Sequence, residues 1–243
     1  EQMPNWCSNT LTIRGPFDIR EEFVNMTKNP EGSEEEYSIL SHLVPMPKVL
    51  EGTSSPAYDS PEPHPNWAVM LANGEMTQEW YDELCSTQKE RYKASIAAKE
   101  ATGYTDWYSW QAQNWGVKWG DCRTELIDHD PDSLIAVGGT VMRFETPWGS
   151  PHQGLLAVSA MFPSLHFVNA YIGEGEEFVG VTLYRGGTVV TDEGYDYPEI
   201  QEAIGEIPET GEDDDGWEAW QQRTQKVYEL MYDLEDKVLA SIN

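Results

Sequence analysis

Positive charge is what this chain lacks most. Its 243 residues carry 15 Lys and Arg against 43 Asp and Glu, a formal net charge of −28. Binding a nucleic-acid backbone needs Lys and Arg to displace counterions, so direct nucleic-acid binding is excluded as a function class. Docking on an anionic membrane surface is disfavoured for the same reason. Long apolar runs are missing too, and none approaches the ~20 residues that cross a bilayer. The first residues show no basic stretch followed by an apolar one. Met3-Pro4 reads as a native start, and a cytoplasmic location is expected. Cysteine is scarce: Cys7, Cys85 and Cys122 are an odd number with no C-x-x-C pair. That argues against a disulfide framework and a Cys-rich zinc site. The five histidines, His42, His64, His129, His152 and His166, are scattered without metal-ligand spacing, so neither metal nor cofactor is expected.

Tryptophan, in contrast, is abundant. There are ten, several beside glycine, asparagine or proline. The densest run is Asn114-Trp115-Gly116-Val117-Lys118-Trp119-Gly120-Asp121. Others are Asn5-Trp6-Cys7-Ser8-Asn9 and Phe144-Glu145-Thr146-Pro147-Trp148-Gly149-Ser150-Pro151. Such spacing suggests fixed turns packed by aromatic faces. At 39% hydrophobic the chain can bury a core, and its length suits one large domain or one domain with an insertion.

Along the chain, residues 6–14 alternate and predict a strand, and 17–28 predict a helix with acids in its first turn. Residues 37–44 read as a second strand. Residues 51–65 form a Pro/Ser/Gly-rich loop and a boundary. One or two exposed helices are expected over 76–101, with Thr77 as a cap, and another over 104–113. Strands follow at 123–127 and 140–145. A helix over 151–162 is expected to take Ser150 as N-cap and Pro151 as its first residue. Strand 165–172 leads to a hairpin, 178–185 with 188–191, around Gly186-Gly187. Residues 172–218 hold fifteen carboxylates against Arg185 alone. Asp213-Asp214-Asp215 then precede a final helix whose stripe is Trp220, Val227, Met231, Leu234, Val238 and Ile242. That stripe suits packing on the domain or on a second copy of the chain.

This order predicts an α+β fold: a ferredoxin-like antiparallel sheet with helices on one face, a helical insertion and a C-terminal amphipathic helix. The core is expected over 3–50 and 107–195, the loop and helical insertion over 51–106, and an acidic segment with the last helix over 196–243. Met3-Pro4-Asn5-Trp6-Cys7-Ser8-Asn9, Asn114-Trp115-Gly116-x-Lys118-Trp119, Phe144-x-Thr146-x-Trp148-x-Ser150-Pro151 and Phe162-Pro163-Ser164-Leu165 occur in that order. Tyr171-x-x-Glu174-Gly175 and Phe178-x-Gly180 follow. The series resembles the YubB-type ferredoxin-like domain family, the Api-like proteins of phages and plasmids, over roughly 3–48 and 107–185. The resemblance implies a mobile-element origin and a ferredoxin-like fold, and the cytoplasm expected above is then that of a host cell. It carries no settled activity and no catalytic residue.

Trp115, Lys118, Trp119, Asp121 and Trp148 form a candidate pocket, in which indoles would stack on a base or sugar and Lys118 and Asp121 would fix polar groups. The bland reading of the same residues is that the indoles pack beneath the sheet. An anionic ligand there would need Lys118, Arg123 or Arg143, the only cations nearby. Asn5 and Asn9 suit turn or strand-edge hydrogen bonds, or ligand contact. Cys7 or Cys122 with His129 or His166 lacks the spacing of a nucleophile and base. Glu174, Glu176 and Glu177 read as a cation site or a solvated loop. No catalytic constellation emerges, and no enzyme activity is expected. The acidity has three readings: solubility, adaptation to salt, or imitation of DNA phosphates. The last makes Glu209, Glu212, Asp213, Asp214 and Asp215 a surface for a host defence or DNA-acting protein with a basic groove. The alternative function is a nucleotide-like small-molecule binder using the tryptophan pocket.

Overall fold

The computed structural model describes residues 5–130, 139–205 and 217–242. The chain divides into two compact units, Glu1–Val44 with Trp115–Asn243, and Pro45–Asn114. In chain order the elements are β1 (Trp6–Arg14), α1 (Phe17–Thr27), α2 (Leu40–Leu43), α3 (Pro65–Ala72), α4 (Gln78–Thr102) and α5 (Trp107–Asn114). Then come β2 (Cys122–Asp128), β3 (Thr140–Pro147), α6 (His152–Met161), β4 (His166–Gly173), β5 (Phe178–Arg185), β6 (Thr188–Asp196), α7 (Tyr197–Ile204) and α8 (Trp217–Ala240).

The first unit is built on one six-stranded sheet of order β2-β3-β1-β4-β5-β6, antiparallel throughout. Its first four strands, with α1 and α6 as the crossovers, are a ferredoxin-like βαββαβ unit. The β5–β6 hairpin widens it. Period-two alternation divides the strands between two cores. Leu11, Ile13, Phe144, Phe167 and Tyr184 face Phe23 and Val24 of α1 and Leu155 and Val158 of α6. Val168, Ala170, Ile172, Val179, Val181 and Leu183 point the other way, onto Val227, Met231, Leu234 and Val238 of α8. The stripe of the last helix is therefore spent on its own sheet. Trp220 is the exception in that stripe and stays half exposed.

Three local expectations are corrected. Residues 37–44 are not a strand: Tyr37 makes one isolated bridge to Lys28, and the chain then turns into α2. The Asp121 carboxylate accepts the Ile39 and Leu40 amides at 2.8 and 2.7 Å, which starts the helical turn and aims Ile39, Leu40 and Leu43 inward. Ser150 does not cap α6, whose N-cap is Pro151 with no side-chain bond. Ser150 Oγ instead accepts from Asn169 Nδ2 at 3.0 Å. The second hairpin strand runs on to Asp196 because it pairs along all of β5. Helix α7, which follows, was legible but unread: Asp196 and Glu199 form a reciprocal capping box with Pro at the helix start.

The second unit is helical, consistent with its alanine and charge content. Thr77 caps α4 by accepting the Trp80 amide, and Gly103 ends it in the left-handed conformation. Helix α3 forms where Pro65 supplies a fixed first residue. Leu50, Ala98 and Trp110 are buried within this unit.

Glu235 of α8 lies over β1, where Thr12 Oγ1 donates to its Oε1 at 3.1 Å. Burial first, and Asp236 second, push its carboxyl above the ordinary value of 4.5, against the pull of Thr12 and Arg14. A carboxyl with a raised folded pKa stabilises the fold while protonated, and that contribution is lost as pH rises through the folded value. Glu235→Gln is therefore expected to raise the melting temperature at about pH 7 and to have little effect below about pH 4. Thermal unfolding at the two pH values checks this, and an unchanged midpoint at neutral pH would refute it.

Candidate functional site

The central tryptophan motif splits into a buried and a surface half. Trp115 is only 4% exposed, and its indole N–H donates to the Val44 carbonyl at 2.8 Å. Its backbone oxygen accepts the Gly154 amide at 3.2 Å, joining the motif to α6. Gly116 must be glycine here: φ is +84°, and a Cβ would collide with the Gln153 side chain. Asp121 is buried and committed to three donors, the two amides that start α2 and Thr124 Oγ1 at 2.7 Å. Both residues thus serve as framework.

Lys118 and Trp119 lie at the surface. The Lys118 ammonium sits 4.8 Å from the centroid of the Trp119 ring, and Trp119 meets Trp6 edge-on at 6.5 Å. Arg123 covers Trp6 at 5.2 Å and is ion-paired with Glu145. Exposed cation–π contacts of this kind stabilise by about 0.5–1 kcal/mol each. Trp148 is 55% exposed and left-handed (φ 71°), held by its amide on the Asn5 carbonyl at 2.8 Å. Of the five candidate residues, only Lys118 and Trp119 are brought together at the surface.

Asn9 belongs to a buried polar seam. Its Nδ2 donates to the Cys7 carbonyl and to Thr146 Oγ1, and its Oδ1 accepts from Asn169 Nδ2. Nearby, His152 Nδ1 and the Tyr184 hydroxyl are 2.5 Å apart. Burial holds His152 below the ordinary imidazole value, pushes Tyr184 up, and with Asp192 pushes Tyr171 up to about 12. Tyr171 lies across from Gly180, where any side chain would meet its ring. Burial thus disfavours the charged form of all three groups.

The nucleophile candidates are ill-suited to chemistry. Burial pushes the Cys7 thiol up to about 12, and burial with the Glu35 and Glu145 carboxylates pushes Cys122 up to about 11. Among the described residues no hydrogen bond joins either thiol to a histidine. His129 contacts Thr140 Oγ1 at 2.7 Å and stacks on Phe17. Glu174 accepts the Trp6 amide and Glu176 pairs with Arg223 at 2.8 Å. No group of three or more His, Cys, Asp or Glu among the described residues is arranged around a common point for a metal ion. Glu209, Glu212, Asp213, Asp214 and Asp215 lie outside the described residues.

The sequence reading missed a groove. A cavity of about 460 Å³ opens where α8 ends its cover of the sheet. Its floor carries Ser8 and Thr10 of β1, Arg143 and Glu145 of β3, Arg123 and Glu125 of β2, and Ala170 and Ile172 of β4. Tyr228, Met231 and Tyr232 of α8 form the wall. The available signals were Arg143 on the odd face of β3, opposite the buried Met142 and Phe144, and two tyrosines four apart on α8, beside its buried stripe.

Residues 115–225 match the family model described as the ferredoxin-like domain in Api92-like protein. Among solved structures, the crystal structure of protein api92 from Yersinia pseudotuberculosis is similar at 13% identity, with a TM-score of 0.41, covering 79% of this chain and 98% of that one. No curated protein matches the chain.

Proposed function

We propose that this chain, whose residues 115–225 form a ferredoxin-like domain of the Api92-like kind, is a non-catalytic binding protein that holds and inhibits a basic host protein through its acidic surface. The observation that carries the reading is charge left unpaired. The chain has 43 carboxylates against 15 Lys and Arg, too few cations to pair most of them; among the described residues three ion pairs form. Around the β6 edge and α7, Asp192, Asp196, Glu199 and Glu202 are exposed. Such a surface accelerates encounter with a basic groove and repels nucleic acid and acidic partners. A mobile-element accessory role against a defence or DNA-acting protein accords with the resemblance to Api-like proteins. Imitation of DNA phosphates is its most specific form.

The test is affinity capture from host lysate at low and high salt, followed by binding assays on the retained protein. Changing Glu209, Glu212, Asp213, Asp214 and Asp215 to lysine is expected to weaken binding by at least about tenfold, about 1.4 kcal/mol. DNA should compete for the same partner, and affinity should fall steeply with ionic strength. Undiminished binding by the charge-reversed protein would overturn the reading.

A further inference from the structure

The acidic surface leaves one part of the first unit with a different character, the groove between α8 and the open half of the sheet. Its floor is two rows of residues paired across strands. One row runs Glu125, Arg143, Thr10, Ala170 from β2 to β4, and the next runs Glu145, Ser8, Ile172 from β3 to β4. Each row grades from charge through hydroxyl to hydrocarbon. The apolar end meets Met231 and Tyr228 at the foot of α8, and Tyr232 lies beside Tyr228 with ring centroids 6.1 Å apart.

The charged end contains two guanidinium groups, a concentration out of keeping with a chain so poor in cations. They are not equivalent. Arg123 is tied to Glu145 and to the Trp6 ring. Arg143 forms none of the ion pairs seen among the described residues, although Glu125 is its cross-strand neighbour. Arg143 and Tyr228 line the same cavity; burial first, then Tyr232 and Glu176, push the Tyr228 hydroxyl up, and Arg143 pulls it the other way. A fork of N–H donors suits a carboxylate or phosphate, and tyrosine faces suit a planar ring. Glu125 supplies an acceptor for an N–H or O–H on the same ligand. A volume of about 460 Å³ matches a small molecule.

We propose that this groove is a binding site for a small planar aromatic molecule bearing one oxyanion, with Arg143 holding the oxyanion and Tyr228 packing on the ring. The site is separate from the acidic surface and does not depend on it. The remote carboxylates repel an anion only weakly at physiological salt, where charges beyond about 8 Å are largely screened. Arg143 contacts the ligand directly.

Calorimetric titration with two probe series, aromatic carboxylates such as anthranilate and nucleoside monophosphates such as AMP, distinguishes the two sources of oxyanion. Binding by either series with Kd below about 1 mM is expected, accompanied by NMR shifts at Thr10, Arg143 and Tyr228. Arg143→Gln is expected to weaken binding about tenfold or more, and Tyr228→Ala to weaken it too. Lys237→Gln, on the flank of α8 that reaches Glu193, should leave it unchanged. Circular dichroism and thermal unfolding confirm that each variant is folded. Failure of both series to bind, or binding that survives Arg143→Gln in a folded protein, overturns the proposal. The charge-reversed acidic variant should bind the probes normally, so failure here leaves the partner reading untouched.

Discussion

Trp115→Ala is expected to destabilise the first unit by about 3–5 kcal/mol, the largest effect of any single substitution in the tryptophan motif. The indole is buried, so its removal leaves a cavity against Gly120, which approaches the ring. It also strips the half-buried Val44 carbonyl of its donor, which adds to the cost. For a domain of this size each kcal/mol lowers the melting temperature by roughly 2–4 °C. Trp115→Phe restores most of the volume but not the N–H, and should recover part of the loss. Trp119→Ala and Trp148→Ala, at exposed or half-exposed positions, should cost about 1 kcal/mol or less. Chemical denaturation of the four variants checks the order. A Trp115→Ala protein as stable as Trp119→Ala would show that the indole is not a core group.

Asp121→Ala is expected to cost about 2–4 kcal/mol and to unravel α2 before the sheet. A buried carboxylate with two amides and a hydroxyl is a set of charge-assisted bonds, each stronger than a neutral one. Alanine leaves the Ile39 and Leu40 amides without acceptors in a region where both side chains are fully buried. Asp121→Asn retains one acceptor oxygen and should lose less. Native-state hydrogen exchange reads the effect locally: the Ile39 and Leu40 amides should exchange much faster in the alanine variant while those of β1 and β4 stay protected. Uniform acceleration across the sheet would mean that α2 is not a separate cooperative element.

The two predictions concern residues that the sequence offered as ligand contacts, and their placement shows where such readings stop. Trp115, Trp119 and Trp148 look alike in sequence, each beside glycine. Which indole is buried depends on what meets it from elsewhere: the Val44 carbonyl takes the N–H of Trp115, whereas Trp148 stays 55% exposed. The groove was hidden for the same reason. Arg143 and Tyr228 are far apart in the chain, on a strand and a helix that meet only because α8 covers part of the sheet.

What the sequence determined by itself is what short-range physics controls. Alternation marked β1, because side chains of period two must face two different environments, and Gly186-Gly187 marked the hairpin of β5 and β6. The order of elements pointed to the ferredoxin-like sheet. Thr77 and Gly103 bounded α4 through local caps. The deficit of cations set the expectation that polyanionic partners are disfavoured. Tertiary structure decided the rest. Residues 37–44 have a strand's composition, yet they turn into α2 because a carboxylate 81 residues downstream from Leu40 captures the turn's amides. The last helix has a stripe that suits either its own sheet or a second copy, and the odd-and-even division of β4 and β5 supplied the matching face at home. Local preferences are worth tenths of a kcal/mol per residue, while a buried hydrogen bond or indole is worth several times more, so where the two conflict the distant contact prevails.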